Sequence, residues 1–166
     1  MQALTVRPLE AQHFAPFGDV IEVSDRAERR MINEGSAQRY HDLARLDLLQ
    51  EGGRPIVSLF RATPLALPIT IKMMERHPKS SQAFIPLSPH SYLVVVAPPG
   101  ALDAGMIEAF AARPDQGVNY APGVWHHYLL ALGAVSDFLV IDRDGPGENL
   151  DEVHLAAADQ RLVRIL

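Results

Sequence analysis

The chain contains no cysteine. That excludes disulfides, thiolate metal sites and a cysteine nucleophile. A basic excess is also missing. The formal net charge is −5 at pH 7, whereas a nucleic-acid binder normally carries a basic stripe. Long apolar runs are absent too: the longest lies around Tyr92–Ala97 and is far too short to cross a bilayer. Residues Met1–Arg7 lack the form of a signal peptide. These absences lead to the expectation of a soluble, cytoplasmic protein with neither a nucleic-acid nor a membrane partner. No repeat, low-complexity segment or linker marks a boundary, so residues 1–166 read as a single domain with room for a sizeable core.

What the chain does have is proline and short β-prone runs. Its 13 prolines sit more easily in turns than in helices. Strands are expected at Ala3–Pro8, Asp19–Val23, Ile56–Arg61, Ile69–Glu75, Gln82–Ile85, Tyr92–Ala97, Ile107–Ala111, Val118–Tyr120, Trp125–Leu132 and Phe138–Asp142. Proline and glycine clusters separate them, notably Pro98-Pro99-Gly100, Arg113–Gly117 and Asp144–Gly147. Many short strands between regular turn signals predict an all-β barrel or sandwich. Helix is expected only in short pieces, at Glu10–Phe14 and Leu155–Gln160, while Leu43–Leu49 suits either helix or strand.

The most informative stretch runs from Gly117 to His127. Pro122-Gly123 fixes a tight reversal, and the strand leaving it carries His126 and His127. Adjacent strand residues point to opposite faces. Only one of the two histidines therefore faces an interior, and the other faces out or sits at a rim. A hairpin with filler histidines and a ligand or base placed in an apolar cup are both open readings.

A second segment adds partners. Glu75 and His77 are two residues apart and share a face on a strand; Gln82 and Phe84 do the same. Pro78 breaks the chain between the pairs, so a turn can bring them into register. Glu75, His77, Gln82 and His126 then form a set of oxygen and nitrogen donors. Such a set suits a divalent metal such as nickel, manganese or zinc, or proton transfer without one. No organic cofactor is expected. The two segments resemble the two motifs of the cupin superfamily. Glu75 stands where the first motif has its first His, and Gln82 where it has its Glu. Ala121–His126 matches the second motif in its Gly and His, with the Pro shifted by one.

Other polar residues have two readings each. Arg39-Tyr40-His41-Asp42 is either a solvated turn or a pocket rim or partner contact. Arg61, at a strand end, is either a surface cap or a fork for a substrate carboxylate. Asp137, Asp142 and Arg143 bracket an apolar strand and suggest an ion pair. Lys72 has the opposite parity to Glu75 and should point away from it. Trp125 is the only tryptophan, and its position suits a core anchor or an interface.

Taken in order, Arg39–Ala44, Leu67–Thr70, Glu75–Pro78, Gln82–Pro86, Gln116–Tyr120, Val124–His127 and Asp137–Arg143 resemble the ureidoglycolate lyase family of allantoin degradation, formerly called ureidoglycolate hydrolase. The likeness runs from about Leu9 to Arg143 and is looser beyond Asp144. One departure is Lys72, where family members carry His. The resemblance implies a cupin-like β-barrel or jelly-roll sandwich, a homodimer, and a small-molecule substrate, ureidoglycolate, cleaved to glyoxylate and urea.

That substrate carries a hydroxyl, a carboxylate and a ureido nitrogen on one carbon. Splitting it takes a cation for the carboxylate, a base for the hydroxyl proton and an acid for the leaving nitrogen. The resemblance puts His126 or His77 in the role of base, Glu75 as acid or as the group that orients the imidazole, and Arg61 or Arg39, with Tyr40 beside it, at the carboxylate. An amidohydrolase releasing ammonia and a non-catalytic cupin that binds small acids are the competing classes.

Overall fold

A computed structural model describes residues 1–165. Its centre is the strand Tyr92–Ala97, all six residues of which are buried. Alternate side chains of a strand face opposite sides, and here both sides are covered. Tyr92, Val94 and Val96 enter a core shared with Phe14, Phe84, Phe110, Tyr120 and Phe138. Leu93, Val95 and Ala97 enter a second core with Ile71, Met74, Trp125 and Val163. A strand covered on both faces has no place for a polar residue, which explains the unbroken apolar run Tyr-Leu-Val-Val-Val-Ala.

Three sheets make these two cores. The central one runs, in spatial order, Asp151–His154, Met73–Arg76, Trp125–His126, Tyr92–Ala97, Glu108–Ala112 and Val6–Pro8, with Leu130–Ala131 also on Tyr92–Ala97. The second runs Gly18–Ile21, Gly117–Tyr120, Gln82–Pro86, Ser136–Asp144 and Arg54–Ala62. It faces the central sheet across the first core. The third, Gln2–Leu4, Arg161–Val163 and Ile69–Ile71, covers the second core. The architecture is the expected all-β sandwich with little helix. No helix among the described residues is long and apolar enough to cross a membrane.

Several expected elements differ. Ala3–Pro8 is two strands, Gln2–Leu4 and Val6–Pro8, which join different sheets. Ile69–Glu75 likewise breaks at Lys72, with Ile69–Ile71 and Met73–Arg76 in separate sheets. Parity counted across Lys72 therefore loses its basis. Lys72 instead accepts, through its carbonyl, the amide of Leu155 at 2.8 Å. Trp125–Leu132 is interrupted after His126 and resumes at Leu130. The expected helix Leu155–Gln160 is a single turn, in which Asp159 and Gln160 amides both donate to the Ala156 carbonyl. Leu43–Leu49 is neither helix nor strand.

Arg39-Tyr40-His41 is not a turn. It lies in the strand Ala37–His41, paired with Glu28–Ile32 in a hairpin of its own. The charged, non-alternating sequence of that hairpin carries no period-2 signal. The strands Asp151–His154 and Arg161–Val163 were hidden for the same reason.

Candidate active site

Strand register brings the donor set together. His126 lies opposite Val96 on one side and opposite Glu75 on the other. Directly opposed residues share a face, and Val96 points into the first core. His126 and Glu75 therefore enter that core, while Trp125 and Met74 enter the other. Gln82 comes from the facing sheet, opposite Tyr120, and points inward with it.

The turn before His126 has the geometry its sequence demands. The Val124 amide donates to the Ala121 carbonyl at 3.2 Å. Gly123 has φ of 77°, so Pro122-Gly123 fills the two central places of a type II turn, where the second must be left-handed. The Gly123 amide donates to the His77 carbonyl at 3.0 Å. The turn that aims His126 is thus tied to the chain that carries His77. On the other face, Arg76 stacks on Trp125 with its guanidinium 4.4 Å from the ring centre. Arg76 Nη1 and Trp125 Nε1 both donate to the Gly100 carbonyl, at 2.7 and 3.0 Å.

Inside, the His126 ring stacks flat on Tyr120, with centroids 4.4 Å apart and planes within 4°. The His77 ring lies 5.3 Å away. His126 Nδ1 faces the His127 carbonyl at 3.2 Å and Glu75 Oε1 at 3.7 Å. Two oxygens at Nδ1 place the proton there and leave Nε2 a lone pair. That Nε2 is buried with no hydrogen-bond partner. Burial first, and His77 nearby second, push the His126 pKa down to about 3. His126 is therefore neutral near pH 7, and its approach to Glu75 at 3.7 Å is a close contact of a neutral ring with a carboxylate and not an ion pair. Burial also raises the Glu75 carboxyl; His77 pulls it down and Glu152, its other cross-strand neighbour, adds to the rise.

His77 is held from both ends. Its Nδ1 lies 2.8 Å from the Asn149 carbonyl and its Nε2 3.1 Å from Gln82 Oε1. Gln82 Nε2 in turn donates to Asp142 Oδ2 at 3.2 Å. Asn149 also clasps the turn beyond Pro78: its Oδ1 accepts from the Lys79 amide and its Nδ2 donates to Ser80 Oγ.

Glu75 and Gln82 open onto a cavity of about 310 Å³ lined also by Phe60, Arg61, Phe84 and Tyr128. This volume suits a small acid. A larger groove of about 620 Å³ around Leu102–Gly105 and Val153–Ala156 lies elsewhere and holds none of these residues.

The structure thus gathers Glu75, His77, Gln82 and His126. Glu75, His77 and His126 offer ligand atoms within 4.8 Å of one another. A neutral His with one nitrogen held by oxygen and the other free is arranged as a metal ligand is. The unpartnered Nε2 of His126 fits a divalent ion on these grounds. Arg61 reaches the cavity wall, but its guanidinium is forked onto Asp137 at 2.7 and 2.9 Å. Arg39 and Tyr40 are not brought to this cavity. They lie on the separate hairpin, where Tyr40 Oη donates to Gln38 Oε1 at 3.2 Å.

His127 follows the strand end at His126, and it is neither outward nor at a rim. It is buried, packs on Tyr128 with centroids 3.9 Å apart, and its Nδ1 faces the Tyr128 carbonyl. The expected ion pair among Asp137, Asp142 and Arg143 does not form. Asp137 takes Arg61, and Arg143 donates to the carbonyls of Gln50, Glu51 and Pro146. Asp142 and Asn149 were missed as site residues. Asp142 had a signal, since Phe138 and Val140 are inward and it follows at the same parity. Asn149 had none.

An all-β sandwich with a part-buried carboxylate–histidine cluster beside a small cavity defines a class of small-molecule enzyme or binding site. The comparisons narrow it. The family model described as Ureidoglycolate lyase matches residues 1–161. A Burkholderia mallei (strain NCTC 10229) protein named ureidoglycolate lyase is 56% identical over 155 residues, 93% of this chain and 91% of that protein. A Pseudomonas syringae pv. tomato protein of the same name is 51% identical over 164 residues, 98% of this chain and 95% of its own. Among solved structures, a dTDP sugar isomerase from Desulfovibrio desulfuricans G20 is similar at 19% identity and a TM-score of 0.48, covering 87% of this chain and 89% of that one. The chain belongs to the ureidoglycolate lyase family.

Proposed function

We propose that the chain is a carbon–nitrogen lyase that cleaves ureidoglycolate to glyoxylate and urea. Family membership over residues 1–161 carries the reading, and the cavity supports it. Glu75 is the group that exchanges protons with substrate. Among the described residues it is the only carboxylate lining the cavity, and burial raises its pKa. In the reaction the substrate hydroxyl loses its proton, its oxygen forms the carbonyl, and the C–N bond breaks as the ureido nitrogen gains a proton. Hydroxyl and nitrogen sit on one carbon, so one carboxylate can take the proton from the first and return it to the second. The His126 ring packs beside Glu75, its Nδ1 3.7 Å from the carboxylate, and limits where that carboxylate can lie. His77 fixes the other side of the cluster.

Arg61 meets the substrate carboxylate. Asp137 occupies one edge of its guanidinium, and a guanidinium has donors on a further edge. A divalent ion, when bound, would be held by Glu75, His77 and His126 with Gln82 beside them, and would supply Lewis acidity towards an α-hydroxy carboxylate. No nucleophile is needed.

Purified protein given ureidoglycolate should release urea and glyoxylate. Release of ammonia instead would assign an amidohydrolase, and no turnover would leave a binding domain. Glu75→Gln should lower turnover about 10²–10⁴-fold.

The working unit in this reading is a homodimer. Val57 and Leu59 project from the strand Arg54–Ala62 at the edge of the second sheet, 67% and 68% exposed. An open apolar edge of this kind is normally covered. Leu59→Lys should therefore shift the protein to monomer in gel filtration; an unchanged elution volume would place any dimer contact elsewhere.

A further inference from the structure

Asp142 is the residue of the cluster that no part of the proposed reaction uses. It is inward-facing, and its Oδ1 is buried without a partner. Leaving a carboxylate oxygen in that state is costly. The arginines near it are committed elsewhere: Arg143 to backbone carbonyls, Arg54 to Asp144 and Arg61 to Asp137. The bond it does make is to Gln82 Nε2, at 3.2 Å.

That bond decides which way an amide faces. A glutamine side chain can turn over and exchange its oxygen and nitrogen at little cost. Turned over here, Gln82 Oε1 would meet the Asp142 carboxylate, acceptor against acceptor. With Asp142 in place, Nε2 faces the carboxylate and Oε1 faces His77 Nε2 at 3.1 Å. The Asn149 carbonyl meets the other ring nitrogen at 2.8 Å. His77 then faces a carbonyl oxygen at each ring nitrogen; a neutral ring carries one N–H and donates to one of the two, so the direction of the Gln82 amide bears on which nitrogen holds the proton.

We propose that Asp142 is a positioning residue: it fixes the direction of the Gln82 amide, and through Gln82 the setting of the His77 ring in the active cluster. The proposal rests on the lyase reading for its kinetic consequence but not for its structural one. Outer groups that orient a reactive histidine typically matter by about 10–100-fold in activity.

The test compares Asp142→Asn with Asp142→Leu. Asn keeps an oxygen that can accept from Gln82; Leu keeps the bulk and removes the acceptor. In the free enzyme, the ring-nitrogen NMR signature of ¹⁵N-labelled His77 should match wild type in Asp142→Asn and change in Asp142→Leu. Turnover should fall about 10–100-fold in the Leu variant with KM nearly unchanged, and recover most of that loss in the Asn variant. If Asp142→Leu does not fold, Asp142→Ala takes its place. A Leu or Ala variant that folds with an unaltered His77 signature and wild-type kcat overturns the proposal. So does an Asn variant as impaired as Leu. Wild-type protein without lyase activity would sink the functional reading alone, because the His77 signature would still report on the setting of the ring.

Discussion

The interior between the two facing sheets has two unlike ends, built from the same strands. Along Gln82–Pro86, Gln82 joins the polar cluster and Phe84, on the same face, packs in the apolar core while also lining the cavity. Along Ser136–Asp144, Phe138 and Val140 give way to Asp142 at the same parity. At the apolar end, Phe14, Phe17, Phe110, Tyr92 and Phe138 meet at tilted or edge-on angles with centroids 5.0–6.2 Å apart. The Tyr92 hydroxyl enters it and donates to the Gln116 carbonyl at 2.8 Å. The polar end is different. It gathers five ionisable or amide side chains, Glu75, His77, Gln82, His126 and Asp142, and two atoms there, His126 Nε2 and Asp142 Oδ1, have no partner. A fold normally satisfies such atoms. The comparison teaches that stability is concentrated at the first end, and that unpaired bonding capacity is kept at the second, where a ligand can use it.

Substitutions should separate the two ends. Phe138→Ala opens a cavity in the packed end and should cost about 3–5 kcal/mol of stability, measured by denaturant unfolding. Any loss of activity should follow the unfolded fraction. His126→Ala should act the other way, with turnover lower by roughly 10²–10⁴-fold in a folded protein. A folded His126→Ala variant at wild-type turnover would show that the polar end is structural. His127→Ala should behave like a mild core change, costing about 1–3 kcal/mol and leaving kcat within a few-fold. If His127→Ala abolished turnover while His126→Ala did not, the assignment of faces would be inverted.

How much of this was legible in the sequence follows from the same geometry. The inward set could be read because period-2 parity holds within the strand Gln82–Pro86 for Gln82 and Phe84, and carries the face of Glu75 one residue past the strand end at Arg76 to His77. The reading failed where a strand breaks and changes sheet. Lys72 is the clearest case, since parity counted from Glu75 means nothing across the gap between Ile71 and Met73. It also failed for ion pairs. Sequence proximity suggested Asp142 with Arg143, yet adjacent strand residues face opposite ways; Asp142 goes in to Gln82 and Arg143 goes out to the Gln50 carbonyl. His127 was expected at a surface because a single parity rule allows only in or out. Burial just past the strand end, against the Tyr128 ring, is a third option. The Asn149 clamp was illegible because a backbone carbonyl seventy-two positions from His77 leaves no mark in side-chain pattern.

The smallest effect concerns pH, and it sharpens the comparison without touching activity. His126 is held neutral by burial, with its folded pKa lowered from 6.5 to about 3; His127 is lowered as well, again mainly by burial. In the unfolded chain both take up protons near their ordinary value. A group whose folded pKa is depressed contributes stability above its unfolded pKa and loses it as pH falls towards the folded one. For His126 that window runs from about 6.5 down to about 3. Each histidine that stays neutral in the fold can cost at most about 1.4 kcal/mol per pH unit there. Glu75 has the opposite sign. Its folded pKa is raised by burial, so its contribution is present below the unfolded carboxylate value and fades as pH rises through the folded one. Chemical denaturation from pH 7 to pH 4 should therefore show stability falling on the acid side. His126→Gln should flatten that slope by about one proton's worth, while Phe138→Ala should lower the whole curve and leave its slope intact. A slope unchanged by His126→Gln would mean that His126 is protonated inside the folded protein, and the lone pair at Nε2 would then be unavailable to any ligand.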